Sequence, residues 1–496
     1  MATTRKRLIM CCDGTWMNSD KGGEEGGPFW NPTVTLQVPS NVTRISRSFR
    51  RICTDGRIQI INYESGVGTG SNKLDSLTGG AFGVGLSERV REAYQFICAN
   101  YDDGDEIILI GFSRGAYTVR SVAGMIGEIG LLTREGLDLF YPIFKDMENW
   151  MDDDYEDPFP TLPFSEKPKG PGASGEYKAR LERLGFTRVR EAGGTGNLIT
   201  VKAIGVWDTA LALDETRPPF SPAVWERLPN DSTDLRQVWF PGNHGNVGGG
   251  WADQNIANIT LAWMMDQLAS IGVEFDEKSL QRLFNKQINH YKTLVPPKKE
   301  KPFAVDQIHL PNKPIRPWAL GSIHRATNPL YTLAGKAPRT PGLYKQIDGK
   351  TNTTKAEFLL DTNERIHASV RVRLACRGLG LDDGAVWEAE ALKKWKLVRT
   401  KGSLHGTNGA GNQQNGGSNG ANGNGKAKEI QTWGPPAEEQ EVISDEGGWE
   451  WEYAGPERDA PPVKRMAEAK MGPYEKYWLK LAGGSPNAYH FAAARE

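Results

Sequence analysis

Apolar residues in the first half of the chain gather into short, nearly unbroken runs, separated by stretches where they return every three or four positions. Leu8–Cys12, Ile107–Ile110 and Thr200–Trp207 are such runs. Each reads as a buried strand, because a strand covered by helices on both faces has no need of polar alternation. Arg57–Tyr63 alternates like a strand, and Arg236–Phe240 reads as the next one. Between them, Leu86, Val90, Ala93, Tyr94 and Ile97 share one face of a helix over 86–101, and Ile256, Ile259, Leu261, Met264, Met265 and Leu268 predict another over 255–271. Strand and helix taking turns predicts an α/β fold with a mostly parallel sheet flanked by helices.

The pattern breaks in three places. Over 131–196 it loosens into an insertion, a candidate lid, with an acidic cluster at Asp146–Asp157 and a Gly/Pro-rich bridge at 165–174. The acidic residues fit no frame of a calcium-binding EF-hand loop and read as a solvated face. Residues 290–360 are irregular and rich in Pro and Lys (Lys298, Lys299, Lys301, Lys313, Arg316). They form either a solvated loop or a contact with an anionic membrane surface. Residues 401–428 are a Gly/Asn/Gln tract almost without apolar residues, expected to be disordered. Trp395–Thr400 before the tract and Trp449–Tyr453 after it both alternate, which predicts a hairpin with the tract as its loop. The domain therefore extends over 1–400, and 429–496 packs back on it, with a short docking helix near 472–479.

Composition narrows the function. With 60 basic and 61 acidic residues the net charge is −1, so no global basic field argues for nucleic acid. The apolar run after the basic N-terminus is too short for a signal-peptide core, and no run reaches the length of a membrane span. Five cysteines without CxxC spacing read as reduced thiols, so the sequence points to a cytoplasmic protein rather than a disulfide framework or a zinc site.

The chemistry centres on Gly111–Phe–Ser113–Arg–Gly115, which follows the Ile107–Ile110 strand and precedes small and apolar residues at helical spacing. That order is the one a nucleophile elbow needs, a sharp strand-to-helix turn that exposes the serine oxygen. The same five-letter pattern occurs at Gly416–Gly420, but there no strand precedes it and no helix follows. Context therefore assigns the nucleophile to Ser113. The N–H of Arg114 is the first candidate for the oxyanion hole. The loop Asp13–Gly14–Thr15 supplies Gly14 and Thr15 as candidates for the second, or else forms a turn capped by Asp13. Asp208, at the end of the Thr200–Trp207 strand, is either an orienting carboxylate or a cap. His244 lies in a glycine-rich loop after the next strand, with Asn243 and Asp253 as neighbours, and the chain order Ser113, Asp208, His244 is that of α/β-hydrolase triads. His367 is the alternative base, or else begins a helix with Ser369 as its cap. The Gly66–Gly70 loop lacks the Gly-Lys-Ser/Thr ending that a nucleotide site requires.

Five stretches in order, Cys12–Trp16, Gly66–Thr69, Gly111–Ala116, Gly205–Thr209 and Trp239–Gly249, resemble the uncharacterised α/β-hydrolase domain shared by many fungal proteins and by phospholipase effectors of bacterial type VI secretion. The resemblance spans about residues 5–380. It implies an α/β-hydrolase-like fold with insertions and a C-terminal extension, and an esterase acting on small-molecule or lipid esters without a cofactor or metal. Ser113 is then nucleophile, Asp208 orienter and His244 base. Many members carry an acid two residues after the histidine, where this chain has Asn246. That departure keeps a second reading open, a catalytically weak hydrolase-fold binding protein.

Overall fold

The computed structural model describes residues 5–14, 24–26, 33–35, 37–66, 81–207, 211–293, 318–324, 336–348, 353–375, 378–399 and 448–481. Four strands form a parallel sheet. β1 (Lys6–Cys12) lies between β2 (Ile58–Glu64) and β3 (Glu106–Phe112), and β4 (Val201–Trp207) adds to the other side of β3. β1 and β3 are buried along almost their whole length, as unbroken apolar runs require. Their side chains alternate between two cores. Leu8, Met10, Ile107 and Leu109 meet Val90 and Tyr94 of α1 (Ala81–Asn100) and Val119 and Val122 of α2 (Arg114–Ile129) on one face. Ile9, Cys11, Ile108 and Ile110 join the core that holds Ile45 and, on α6 (Asn255–Ala269), Leu261 and Met265 on the other. Every residue of α6 is buried except Gln267 and Ala269 at its end, and its sequence is accordingly apolar on most sides.

The remaining strands build a second, mixed sheet. β5 (Gln237–Trp239) and β6 (Glu364–His367) pair in parallel, and β6 pairs in parallel with β9 (Arg465–Ala469). β7 (Trp395–Arg399) and β8 (Trp449–Tyr453) pair antiparallel with Trp395 opposite Tyr453, and β8 pairs antiparallel with β9. The mostly parallel sheet expected from the sequence is thus two sheets, divided between β4 and β5. The cause is local. Parallel neighbours are normally drawn together by a crossover helix, whereas residues 211–236 hold Pro218, Pro219, Pro222 and Pro229 and form only a single 3₁₀ turn at Pro218–Phe220.

The stretch 131–196 contains α3 (Phe140–Asn149) and α4 (Ala173–Arg183), whose Phe140, Ile143, Tyr177 and Leu181 enter the same core as α1 and α2. It docks at the far end of α2, where Lys178 Nζ donates to the Gly127 carbonyl. Gly127 is roughly 20 Å from Ser113 along the helix axis. The acidic cluster is not wholly a solvated face. Asp146 is buried and accepts from Lys167 Nζ at 2.8 Å and from the Tyr177 hydroxyl at 2.5 Å, and Lys167 also reaches Asp157. No metal-holding group of His, Cys, Asp and Glu exists among the described residues.

α7 (Pro473–Leu481) lies against α6. The Asp266 carboxylate accepts from the Tyr474 and Glu475 N–H groups at 2.8 and 3.1 Å and so caps its first turn. No helix among the described residues is long and apolar enough to cross a membrane. The tract 401–428, most of the Lys/Pro-rich stretch and Val67–Gly70 lie outside the described residues.

Two glycines of α2 give a paired prediction. A Cβ on Gly115 would lie 2.0 Å from the Cys12 carbonyl oxygen, whereas one on Gly124 meets nothing within 4 Å. Gly124→Ala should raise stability by about 0.5–1 kcal/mol, the usual helix-interior gain. Gly115→Ala should lower the melting temperature sharply or prevent soluble expression. Thermal melts of the two variants check both.

Candidate functional site

β3 leaves the sheet at Phe112 and the chain turns immediately into α2. Ser113 occupies the corner with φ 56° and ψ −124°. For a residue with a Cβ this backbone is strained by about 1–3 kcal/mol, and such strain persists where the surroundings over-determine it. The surroundings here are two glycines. A Cβ on Gly111 would lie 2.4 Å from the Gly115 carbonyl oxygen, and Gly115 itself rests on the end of β1. The Ser113 N–H donates to the Trp207 carbonyl at 3.2 Å, which brings the end of β4 beside the serine. Asp208, the next residue on from Trp207, and Thr15 lie outside the described residues. Arg114 is the first residue of α2, so its N–H belongs to the positive end of that helix.

The loop after β1 bears on the elbow, since a Cβ on Gly14 would meet the Phe112 ring at 2.9 Å and Ser113 Cβ at 3.1 Å. The Gly14 N–H, however, donates to Asp13 Oδ1 at 2.7 Å. In this geometry the Gly14 N–H is engaged by the side chain of the preceding residue. Asp13 also accepts from Ser40, Thr43 and Tyr63 hydroxyls at 2.7–2.9 Å. Burial raises its pKa against these four donors, with a net upward shift.

His244 follows β5 of the second sheet and lies against Phe112, the residue before Ser113. It opens α5 (His244–Gly248), which Asn243 caps. The Asn243 side chain accepts from the Asn246 N–H, and the Asn246 side chain accepts from the Asn243 N–H. Asn246 Nδ2 also donates to the Ser322 carbonyl at 2.8 Å. Asn246 is thus a capping residue, and its Nδ2 donor is one that an aspartate would lack. Asp253, the other polar neighbour of His244 in the sequence, accepts from the Asn255 and Ser322 N–H groups. α5 lies directly on Phe112, where a Cβ on Gly248 would come within 1.9 Å of the ring.

The His244 imidazole packs against two aromatic rings, both tilted relative to it, Phe112 at 4.5 Å and Phe220 at 4.8 Å between centroids. Its Nδ1 is buried without a hydrogen-bond partner among the described residues. Burial pushes its pKa down to about 3, Arg217 and Arg339 adding to the shift and Glu215 opposing it. Between about pH 4 and 9 the ring is neutral and so carries one nitrogen able to accept a proton.

The roof over this ring comes from residues that no sequence pattern marks. Glu215 accepts from the His244 N–H at 3.2 Å and from Arg217 Nε and Nη2 at 2.8 and 2.7 Å. Burial draws the Glu215 carboxyl upward, but Arg217 and the backbone donors outweigh it and leave it below its ordinary value. The Arg217 guanidinium lies 3.8 Å over the Phe220 ring, and Arg339 Nη2 donates to the Phe220 carbonyl. Phe220 is held from both ends.

His367 sits elsewhere. It is fully buried, with Nδ1 2.7 Å from the Ser369 hydroxyl and Nε2 2.6 Å from Glu475 of α7. Both ring nitrogens are engaged, and burial pushes its pKa down to about 3. On the opposite side of the elbow, Cys12, Glu64, Arg89, Arg114 and Gly115 line a small pocket. Burial, helped by Glu92 and opposed by Arg89, raises the Glu64 carboxyl to about 7.

Comparison with known proteins gives the family. The family model for the catalytic domain of the Tle1-like phospholipase effectors of type VI secretion matches residues 6–210 and 209–267, just over half of the chain. The uncharacterized protein YEL023C of Saccharomyces cerevisiae is 27% identical over 162 residues. That alignment covers 30% of this chain and 21% of the yeast protein, so the chain spans about a fifth of its relative's length. No solved structure gives a significant match. Through its catalytic domain, the chain belongs to the family of Tle1-like type VI secretion phospholipase effectors.

Proposed function

We propose that the protein is a serine esterase of α/β-hydrolase type that cleaves acyl esters of lipids. The observation that carries this reading is the strained Ser113, held between two crowded glycines with the end of β4 beside it and the buried His244 ring against the preceding residue, Phe112. Ser113 Oγ attacks the acyl carbonyl and His244 takes its proton. The tetrahedral intermediate collapses, the alcohol leaves with that proton, and water then hydrolyses the acyl-enzyme through the same histidine. Asp208, one residue beyond Trp207, orients the imidazole. The Arg114 N–H and an N–H from the loop at Thr15 receive the oxyanion. His367 has both nitrogens engaged, Nδ1 with Ser369 and Nε2 with Glu475 of α7, which favours His244 as the base. Membership of a phospholipase family supports lipid esters as the substrate class. Tyr117, one helical turn after Ser113 and well exposed, puts an amphipathic ring at the rim, as a lipid surface favours.

A fluorophosphonate probe tests the reading. It should label the wild-type protein and leave Ser113→Ala unlabelled. Short-chain ester hydrolysis should fall by at least about a thousandfold in His244→Ala and far less in a folded His367→Ala. A wild-type protein that resists this and smaller serine-directed probes would instead be a hydrolase-fold binding protein.

The roof predicts a pH effect. Phe220→Ala admits water to His244, and its pKa should rise from about 3 toward the ordinary value of about 6.5. A raised pKa protonates the base in mild acid, so labelling at pH 5 should drop by about tenfold relative to wild type and much less at pH 8. Rate profiles against pH for both proteins read this directly.

Glu64 gives the opposite limb. As it ionises through about pH 7, a buried negative charge grows beside the place where the oxyanion forms. Wild-type labelling should decline above that pH, and Glu64→Gln should remove the decline.

A further inference from the structure

The division between the two sheets leaves a cavity of about 500 Å³, lined on one side by Val201–Val206 of β4 and on the other by the approach to β5, from Ser232 to Gln237. Among the described residues β4 is the last strand of its sheet and pairs only with β3. The outward N–H and C=O groups of Val201–Val206 have no hydrogen-bond partner among the described residues. Near the catalytic end, the margin of the second sheet already accepts a strand. Leu211–Leu213 runs parallel to Phe240, with Phe240 N–H donating to the Leu211 carbonyl at 2.9 Å and Leu213 N–H to the Phe240 carbonyl at 3.0 Å. Leu211 also lines the cavity and so ends it on that side.

We propose that this slot is a peptide-binding site, in which an extended segment of a partner protein adds as a strand to the free edge of β4. The chemistry of the walls selects the ligand. An acyl chain in the slot would strip water from the β4 backbone groups and give nothing back, whereas a peptide main chain satisfies them. Six residues of β4 offer about 20 Å of edge, room for a segment of about four to six residues.

The two faces of the slot differ, and so set the side chains of the peptide. Gly205 faces α6, where a Cβ would lie 2.6 Å from Met264 Sδ, while Ile204 and Val206 pack toward the core shared with α2. On the α6 side the walls are Trp263, Met264 and Leu268. On the α2 side Arg120 lies 4.0 Å over the Trp225 ring and Lys202 is exposed. Side chains of a bound strand point alternately to these faces. The partner segment is therefore one that alternates apolar with acidic residues.

The site is separate from the serine, so its failure leaves the esterase reading intact, and Ser113→Ala should bind peptide as the wild type does. The probe is a fluorescein-labelled octapeptide, Glu-Val-Glu-Ile-Glu-Val-Glu-Leu, titrated into the full chain by anisotropy. Saturable binding is expected, weakened at least tenfold by N-methylation of the peptide at alternate residues and less than threefold at the residues between. Ala203→Phe, which fills the slot, and Lys202→Glu, which reverses its charge, should each weaken binding at least tenfold. Should Ala203→Phe misfold, amide exchange of the wild type replaces it, with alternate amides of Val201–Val206 gaining protection when the peptide is bound. Absence of saturable binding, loss without the two-residue period, or a slot that takes up a fluorescent fatty acid and no peptide overturns the proposal.

Discussion

The contact between the first turn of α2 and the carbonyl end of β1 governs the rest of the molecule. Gly115 lies so close to the Cys12 carbonyl that no side chain fits between them. This closeness pulls α2 down onto the sheet and forces the turn before it into the left-handed region. Ser113 is strained because the helix is near, and the helix can be near because Gly111 and Gly115 have no Cβ. The close-packed interiors of β1 and β3 make that arrangement stiff, since neither strand has a free volume into which to relax. Positioning is thus a matter of backbone sterics before any polar group is considered.

The second sheet contributes an imidazole rather than a framework. α5 is only five residues long, and its hold comes from a reciprocal pair of asparagine side chains, the Ser322 carbonyl and the Phe112 ring beneath. Phe220 closes the upper face. A ring in such dry surroundings strongly prefers to be neutral, so its readiness to accept a proton depends on charge developing next to it. In surroundings of low dielectric such a charge acts on the ring more strongly than it would in solvent.

Much of the first sheet was legible because its physics is local. A strand buried on both faces must be apolar throughout, and Leu8–Cys12 and Ile107–Ile110 are; a crowded turn must have glycines, and Gly111 and Gly115 are present. Trp395–Arg399 and Trp449–Tyr453 alternate, and they pair across the long tract between them. The division of the sheet was not legible, because it follows from the lack of a crossover helix in a stretch whose irregularity says nothing about where its ends lie. Asp146 read as solvated since the lysine and tyrosine that bury it stand 21 and 31 positions away. Glu475 lies 108 positions from His367, and the roof over His244 joins Glu215 and Phe220 to Arg339, more than a hundred residues later, without any spacing to mark them.

The place of β9 has a consequence for how the chain is made. This strand, Arg465–Ala469, is interior to its sheet, flanked by β8 and by β6. The parallel sheet that carries Ser113 is complete once β4 has left the ribosome. β6, in contrast, waits for a neighbour that is synthesised roughly a hundred residues later, about 5–20 s at ordinary elongation rates. During that interval the elbow exists while β6 has an open edge on the side that β9 later fills. A chain at that stage displays unpaired main-chain groups that can pair with another chain, so the late arrival of β9 makes the second sheet the part of the fold most exposed to misassembly.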